Sequence, residues 1–190
     1  MISHLPNADR SRRFTAALER LSPFDRHHPA ADLVVIPAAH SQRCQVFDRV
    51  VASLAGVWLL RRSIDNGVSM IGTATIAPRG DGQSDYHECG RLILANGQVI
   101  EGERRYIFEG CSDGFAVLFA ESPSRPFHRI ALSQIGASLV GSGVHLCGED
   151  RYDSRYEFRA DDTFVVEHEV RGPHKRYTIE THYSHDGREF

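Results

Sequence analysis

The sequence predicts a mainly β fold, a single antiparallel up-and-down barrel of about eight to ten strands behind a short helical N-terminal section. Three observations predict it. From Leu54 onward the apolar period changes from helical to alternating. Turn signals then recur at short intervals, at Asp65-Asn66-Gly67, Gly80-Asp81-Gly82, Asn96-Gly97, Asp113-Gly114, Pro123 to Pro126, Asp161-Asp162 and Gly172-Pro173. No helical segment interrupts the run, and closing such a sheet on itself removes the edge strands an open sheet would leave.

The elements follow in chain order. Phe14, Ala17, Leu18 and Leu21 recur at helical spacing, with Asn7, Asp9 or Ser11 to cap the helix and Pro23 to end it. Phe24 to His40 holds Pro29 and Pro37 around the apolar run Leu33 to Ile36, and reads as a connector with one edge strand. Ser41 caps a second helix whose apolar stripe is Val46, Phe47, Val50, Val51 and Leu54. Residues 1–40 are therefore expected as an extension and residues 41–190 as the barrel domain. Strands are expected at approximately 54–64, 68–76, 85–94, 98–109, 114–121, 126–132, 140–147, 150–159, 163–171 and 175–184, with Gly148 as a turn or as a bulge in one long bent strand.

Composition narrows the partners. A chain of 190 residues with 41% hydrophobic and 25% charged residues suits one packed core. The net charge of -3, with arginines interspersed among acids, argues against nucleic acid as a partner. Cys44, Cys89, Cys111 and Cys147 contain no C-x-x-C pair, and Asp9, Arg10, Arg12 and Arg13 interrupt any signal-peptide core, so a cytoplasmic protein with free thiols is expected. The longest apolar run, Val50 to Leu60, is broken by Ser53 and Gly56 and falls far short of the roughly 20 residues of a membrane-spanning helix. No membrane partner is expected, and a homodimer is left open.

Alternation assigns the faces, because residues two apart in a strand share a side. Leu54, Gly56, Trp58, Leu60, Arg62 and Ile64 form a mostly apolar, inward set that carries Arg62 with it. Tyr86, Glu88, Gly90 and Leu92 follow, then Arg104, Tyr106 and Phe108, then His145 and Cys147, then Asp150, Tyr152, Tyr156 and Phe158. His168 with Val170, and Lys175, Tyr177, Ile179, Thr181 and Tyr183, complete the interior. Charges and phenols inside a barrel require a partner, since an unpaired buried charge costs several kcal/mol.

The motifs L-x-G-x-W-x-x-x-R (Leu54, Gly56, Trp58, Arg62), Y-x-E-x-G (Tyr86, Glu88, Gly90), H-x-C-x-x-D-x-Y (His145, Cys147, Asp150, Tyr152) and G-P-x-K-x-Y (Gly172, Pro173, Lys175, Tyr177) occur in that order. From Leu54 to about Tyr183 the chain resembles an uncharacterised bacterial and fungal family, domain-of-unknown-function family 6314, which implies a calycin-like barrel and no established activity. It departs at His168, where the family pattern has Trp, and at Tyr183 to His185, where an Arg is expected. The G-x-W element is also similar to that of lipocalins, and in a calycin barrel Trp58 would close one end beneath an Arg from a late strand.

Several chemistries compete for these residues. Arg62 with Glu88 is either an ion pair that fixes register or a guanidinium held ready for a ligand carboxylate. His145 and Cys147, joined by Asp150 or His168, would suit zinc; the alternative is a hydrogen-bonded network with Cys147 as a small core residue. His145 as base, Asp150 as orienter and Tyr152 or Lys175 as proton donor would make an enzyme, as would Cys147 as nucleophile. His182 or His185 could hold haem near the mouth, although no cofactor is evident. The reading preferred is a small-molecule-binding barrel for an anionic or carboxylate-bearing ligand, with Trp58, Leu60 and Phe108 as its apolar floor. Its polar groups are Arg62, Glu88, Arg104, Tyr106, His145, Cys147, Asp150, Tyr152, His168, Lys175 and Tyr177. The alternative is a lyase, isomerase or hydrolase that uses the same residues.

Overall fold

Alternating side chains punctuated by turn residues give strands that pair in chain order, and the computed structural model, which describes residues 50–185, shows ten of them closed into an antiparallel barrel. They are β1 (Gly56–Ile64), β2 (Val68–Gly80), β3 (Gln83–Ile93), β4 (Val99–Cys111) and β5 (Gly114–Phe119), then β6 (Arg125–Ile135), β7 (Ser138–Cys147), β8 (Asp150–Phe158), β9 (Phe164–Gly172) and β10 (Lys175–Ser184). Pairing of β1 with β10, from Leu59 opposite Ser184 to Ile64 opposite Ile179, shuts the barrel. The expected N-terminal helix, the Phe24 to His40 connector and the stripe residues Val46 and Phe47 lie outside the described residues.

Turn chemistry sets the hairpins. Gly67, Gly97 and Gly148 have positive φ, and Asn96 accepts the backbone N–H of Gln98 in its turn. β7 ends at Cys147 and β8 begins at Asp150, so Gly148 and Glu149 form a two-residue turn and not a bulge. Bulges fall instead between Pro78 and Gly80 and between Val117 and Leu118. The turn at Gly136-Ala137, where Gly136 has φ 60°, joins β6 and β7 and lengthens both beyond expectation.

One end of the barrel is closed by apolar contacts. A helical turn at residues 50–53 brings Val50, Val51 and Leu54 against the core. Trp58 lies beneath, donating Nε1–H to the Leu54 carbonyl at 2.8 Å and meeting Phe164 edge-on at 4.8 Å. The late-strand partner over its ring is His185, at 3.7 Å between centroids, where the resemblance led us to expect an Arg. The other end carries the β7–β8 and β9–β10 turns. Here the wall is incomplete among the described residues: β5 pairs with β4 only from Tyr106 to Cys111, so the stretch Val99 to Arg105 has no strand on that side. No helix among the described residues is long and apolar enough to cross a membrane.

Candidate functional site

The inward face of β1 delivers Arg62 between Leu60 and Ile64, opposite Met70 on β2 and Thr181 on β10. The inward face of β3 delivers Glu88, opposite Ala74 and Arg104. Both Arg62 and Glu88 are buried, and the guanidinium fork grips the carboxylate with Nη1 to Oε1 and Nη2 to Oε2 both at 2.8 Å. Arg62 Nε donates to Thr181 Oγ1 at 2.8 Å, and the Tyr86 hydroxyl donates to Glu88 Oε2 at 2.5 Å with Tyr183 Oη 3.0 Å beyond it. Burial pushes the Glu88 carboxyl up, but the adjacent Arg62 charge and its hydrogen bonds, aided by Arg104, hold it down at about 2. Burial lifts the Tyr183 phenol to about 12, with the Glu88 charge adding to it, and raises Tyr86 well above its ordinary value. The Arg62–Glu88 pair is thus a fixed internal strut in which each charge replaces the other's lost water.

Above this strut lies a cavity of about 60 Å³. Arg104, Tyr106 and His168 line it and keep accessible surface. Arg104 sits directly across from Glu88 with its guanidinium carbon 5.8 Å from the Tyr106 ring centre. Burial opposes its charge, yet Tyr106 and Glu88 raise its pKa above the ordinary value, so it enters the cavity as a cation. Two guanidiniums and one carboxylate therefore line the space. Phe108, Val117, Phe127 and Ile64 supply the apolar part of the wall.

On the opposite wall four side chains make a continuous chain of hydrogen bonds. Tyr156 Oη lies 3.0 Å from His128 Nε2, His128 Nδ1 lies 3.3 Å from Ser154 Oγ, and Ser154 Oγ lies 2.8 Å from His168 Nδ1. Both imidazoles are neutral. Burial, then the charges of Arg62 and Arg104, push His168 down to about 3, while burial, then His168 and His145, push His128 to about 2.

Of the residues singled out from sequence, Arg62, Glu88, Arg104, Tyr106, Tyr152, His168 and Tyr177 share the cavity wall, together with Phe108 of the expected floor. Trp58 and Leu60 are buried and do not line it. His145, Cys147, Asp150 and Lys175 gather at the hairpin end, outside the lining. Lys175 pairs with Asp150 at 2.5 Å and donates to Tyr152 Oη at 3.2 Å, so Asp150 is engaged by a cation and not by His145. His145 packs on Phe127 at 4.8 Å, and burial lowers its pKa. Among the described residues no three His, Cys, Asp or Glu side chains come together as a metal site. His182 bonds Glu180 at 2.6 Å, and His185 bonds the Val57 carbonyl at 3.0 Å besides covering Trp58.

The Tyr156–His128–Ser154 chain has no counterpart in the sequence expectation. Ser154 was discoverable, since it falls between Tyr152 and Tyr156 on an inward face. His128 was not, because Phe127 and His128 are both buried on β6 opposite the Val117/Leu118 bulge, which breaks the alternation that reveals faces.

Comparison with known proteins gives the family of this chain. The sequence model of a family described as "Family of unknown function (DUF6314)" matches residues 54–185, and the chain belongs to that family. No curated protein matches the chain. Among solved structures it is similar to EF1p2_mFAP2b bound to DFHBI, at 11% identity over 74% of this chain and 99% of that one with a TM-score of 0.39. It is also similar to a redesigned beta barrel, mFAP1, bound to DFHBI, at 12% identity over 72% and 99% with a TM-score of 0.36.

Proposed function

We propose that this member of DUF6314 is a small-molecule-binding barrel whose cavity takes an anionic, carboxylate-bearing organic ligand at Arg104. The observation that carries this reading is that the Arg104 guanidinium lines the cavity together with the apolar side chains of Ile64, Phe108, Val117 and Phe127. A carboxylate arriving beside Arg104 pairs with its charge and matches its planar fork. At about 10–15 Å³ per water the cavity holds roughly four to six waters, so the ligand is small. The incomplete wall beside Arg104, between β4 and the end of β5, gives a way in. The helix-capped end with its buried Trp58 supports a calycin-like reading, and the free cysteines Cys89 and Cys111 fit a reducing, cytoplasmic setting.

Calorimetric titration of the full chain with acetate, propionate, pyruvate and lactate tests this. Saturable binding by at least one acid, weakened about tenfold or more in Arg104→Leu, is the expected result. Absence of binding by all four, or equal affinity in the variant, contradicts it. A second reading, an enzyme of lyase, isomerase or hydrolase type, is favoured by His168, a neutral imidazole facing the cavity that is able to polarise a carbonyl. Turnover of a bound acid that His168→Gln abolishes would establish it.

A further inference from the structure

Across the cavity from Arg104 lies a second polar contact, His168, whose hydrogen-bonding sense follows from the chain of residues behind it. Tyr156 is buried, and the one hydrogen-bonding neighbour of its hydroxyl among the described residues is His128 Nε2. A buried O–H left without an acceptor is strongly disfavoured, so the phenol donates to Nε2. Neutral His128 then carries its proton on Nδ1 and donates it to Ser154 Oγ. The serine has one proton of its own, and its closer neighbour, His168 Nδ1, receives it. His168 is thereby held with its proton on Nε2. That nitrogen has no hydrogen bond among the described residues and is not sealed from the surface, and the residue lines the cavity. The chain therefore ends in an N–H donor on a residue of the cavity wall.

Resting on the carboxylate reading above, we infer that the ligand is a small monocarboxylate with an oxo or hydroxyl oxygen, its carboxylate on Arg104 and its second oxygen accepting from His168 Nε2–H. The lining selects against the alternatives. An ammonium group would meet two guanidiniums and an N–H donor. A second carboxylate would bring another negative charge beside the buried Glu88, away from water. A plain alkyl chain would leave the imidazole N–H without a partner.

The test compares pyruvate and lactate with propionate, alanine and malonate in titrations of the full chain. Pyruvate and lactate are expected to bind about five- to tenfold more tightly than propionate, the range one net hydrogen bond supplies. Alanine and malonate are expected to bind more weakly than propionate. His168→Phe should erase the preference while keeping propionate binding, and His168→Gln, which restores an N–H, should recover part of it. Nitrogen-15 NMR should show the Nε2–H tautomer of His168 in the native protein and a mixture of tautomers in Tyr156→Phe, a shift that mere loosening of the wall would not give. If pyruvate and lactate bind no better than propionate, or the preference survives His168→Phe, the inference falls while an Arg104-dependent affinity for propionate still supports the broader reading. If no acid binds, both fall. Should His168→Phe fail to fold, the native selectivity and the tautomer decide, and an Nδ1–H tautomer overturns the inference.

Discussion

Arg62 and Glu88 survive inside the barrel because each supplies what water would have given the other. Removing one partner strands a buried charge. Arg62→Met is therefore expected to destabilise the protein by about 3–5 kcal/mol, and the double variant Arg62→Met, Glu88→Leu to recover much of that loss, as read by chemical denaturation. Equal losses in the single and double variants would show that the pair is not coupled. The neutral histidines set a second residue-scale property. His168 and His128 hold folded pKa values of about 3 and about 2 against an ordinary 6.5, so the unfolded chain binds two protons that the folded chain refuses. Their contribution to stability is complete above pH 6.5 and is lost as pH falls toward 3. Glu88, at about 2 against an ordinary 4.5, adds a further loss below 4.5. The melting temperature should decline from pH 6.5 downward and more steeply below pH 4.5, with a shallower slope between 6.5 and 3 in His168→Gln. At this scale the sequence revealed Arg62 and Glu88 because strict alternation carried them inward with apolar neighbours. It concealed His128 because a bulge suspends alternation where that residue lies.

At the scale of elements, the close approach of β2 and β3 depends on two facing glycines. A Cβ on Gly90 would lie 2.5 Å from the Ile71 carbonyl oxygen and 2.9 Å from the Gly72 Cα, both of them backbone atoms that cannot move without moving the strand. Gly90→Ala is expected to destabilise by about 1–3 kcal/mol or more through overpacking, measured by urea unfolding, whereas an unchanged midpoint would mean that the strands part easily. Strand positions were legible from the turns that carry Asn, Asp or Gly pairs. The β6–β7 turn was not, since Ile135-Gly136-Ala137 offers a single glycine between apolar residues. The pairing of Asp150 with Lys175 was equally hidden, because it joins two hairpin turns whose proximity depends on the order of strands around the barrel.

For the whole molecule, closure was readable from the unbroken run of strands, because ten strands without helices have no other simple way to cover their edges. The cavity was not readable. It depends on how far long side chains from eight strands fail to meet at the axis, and alternation tells which residues point inward without telling where they stop. The gap beside Arg104 was hidden for a related reason, since it arises from β5 ending at Phe119 while β4 starts at Val99. Together the strut, the cavity and the gap are the features on which the proposed carboxylate site at Arg104 rests. A crystal structure of the full chain grown with pyruvate tests that claim most directly. The account predicts density for the acid in the cavity, its carboxylate within hydrogen-bonding reach of the Arg104 guanidinium. A cavity holding only ordered water at saturating pyruvate, or a carboxylate bound away from Arg104, would contradict it.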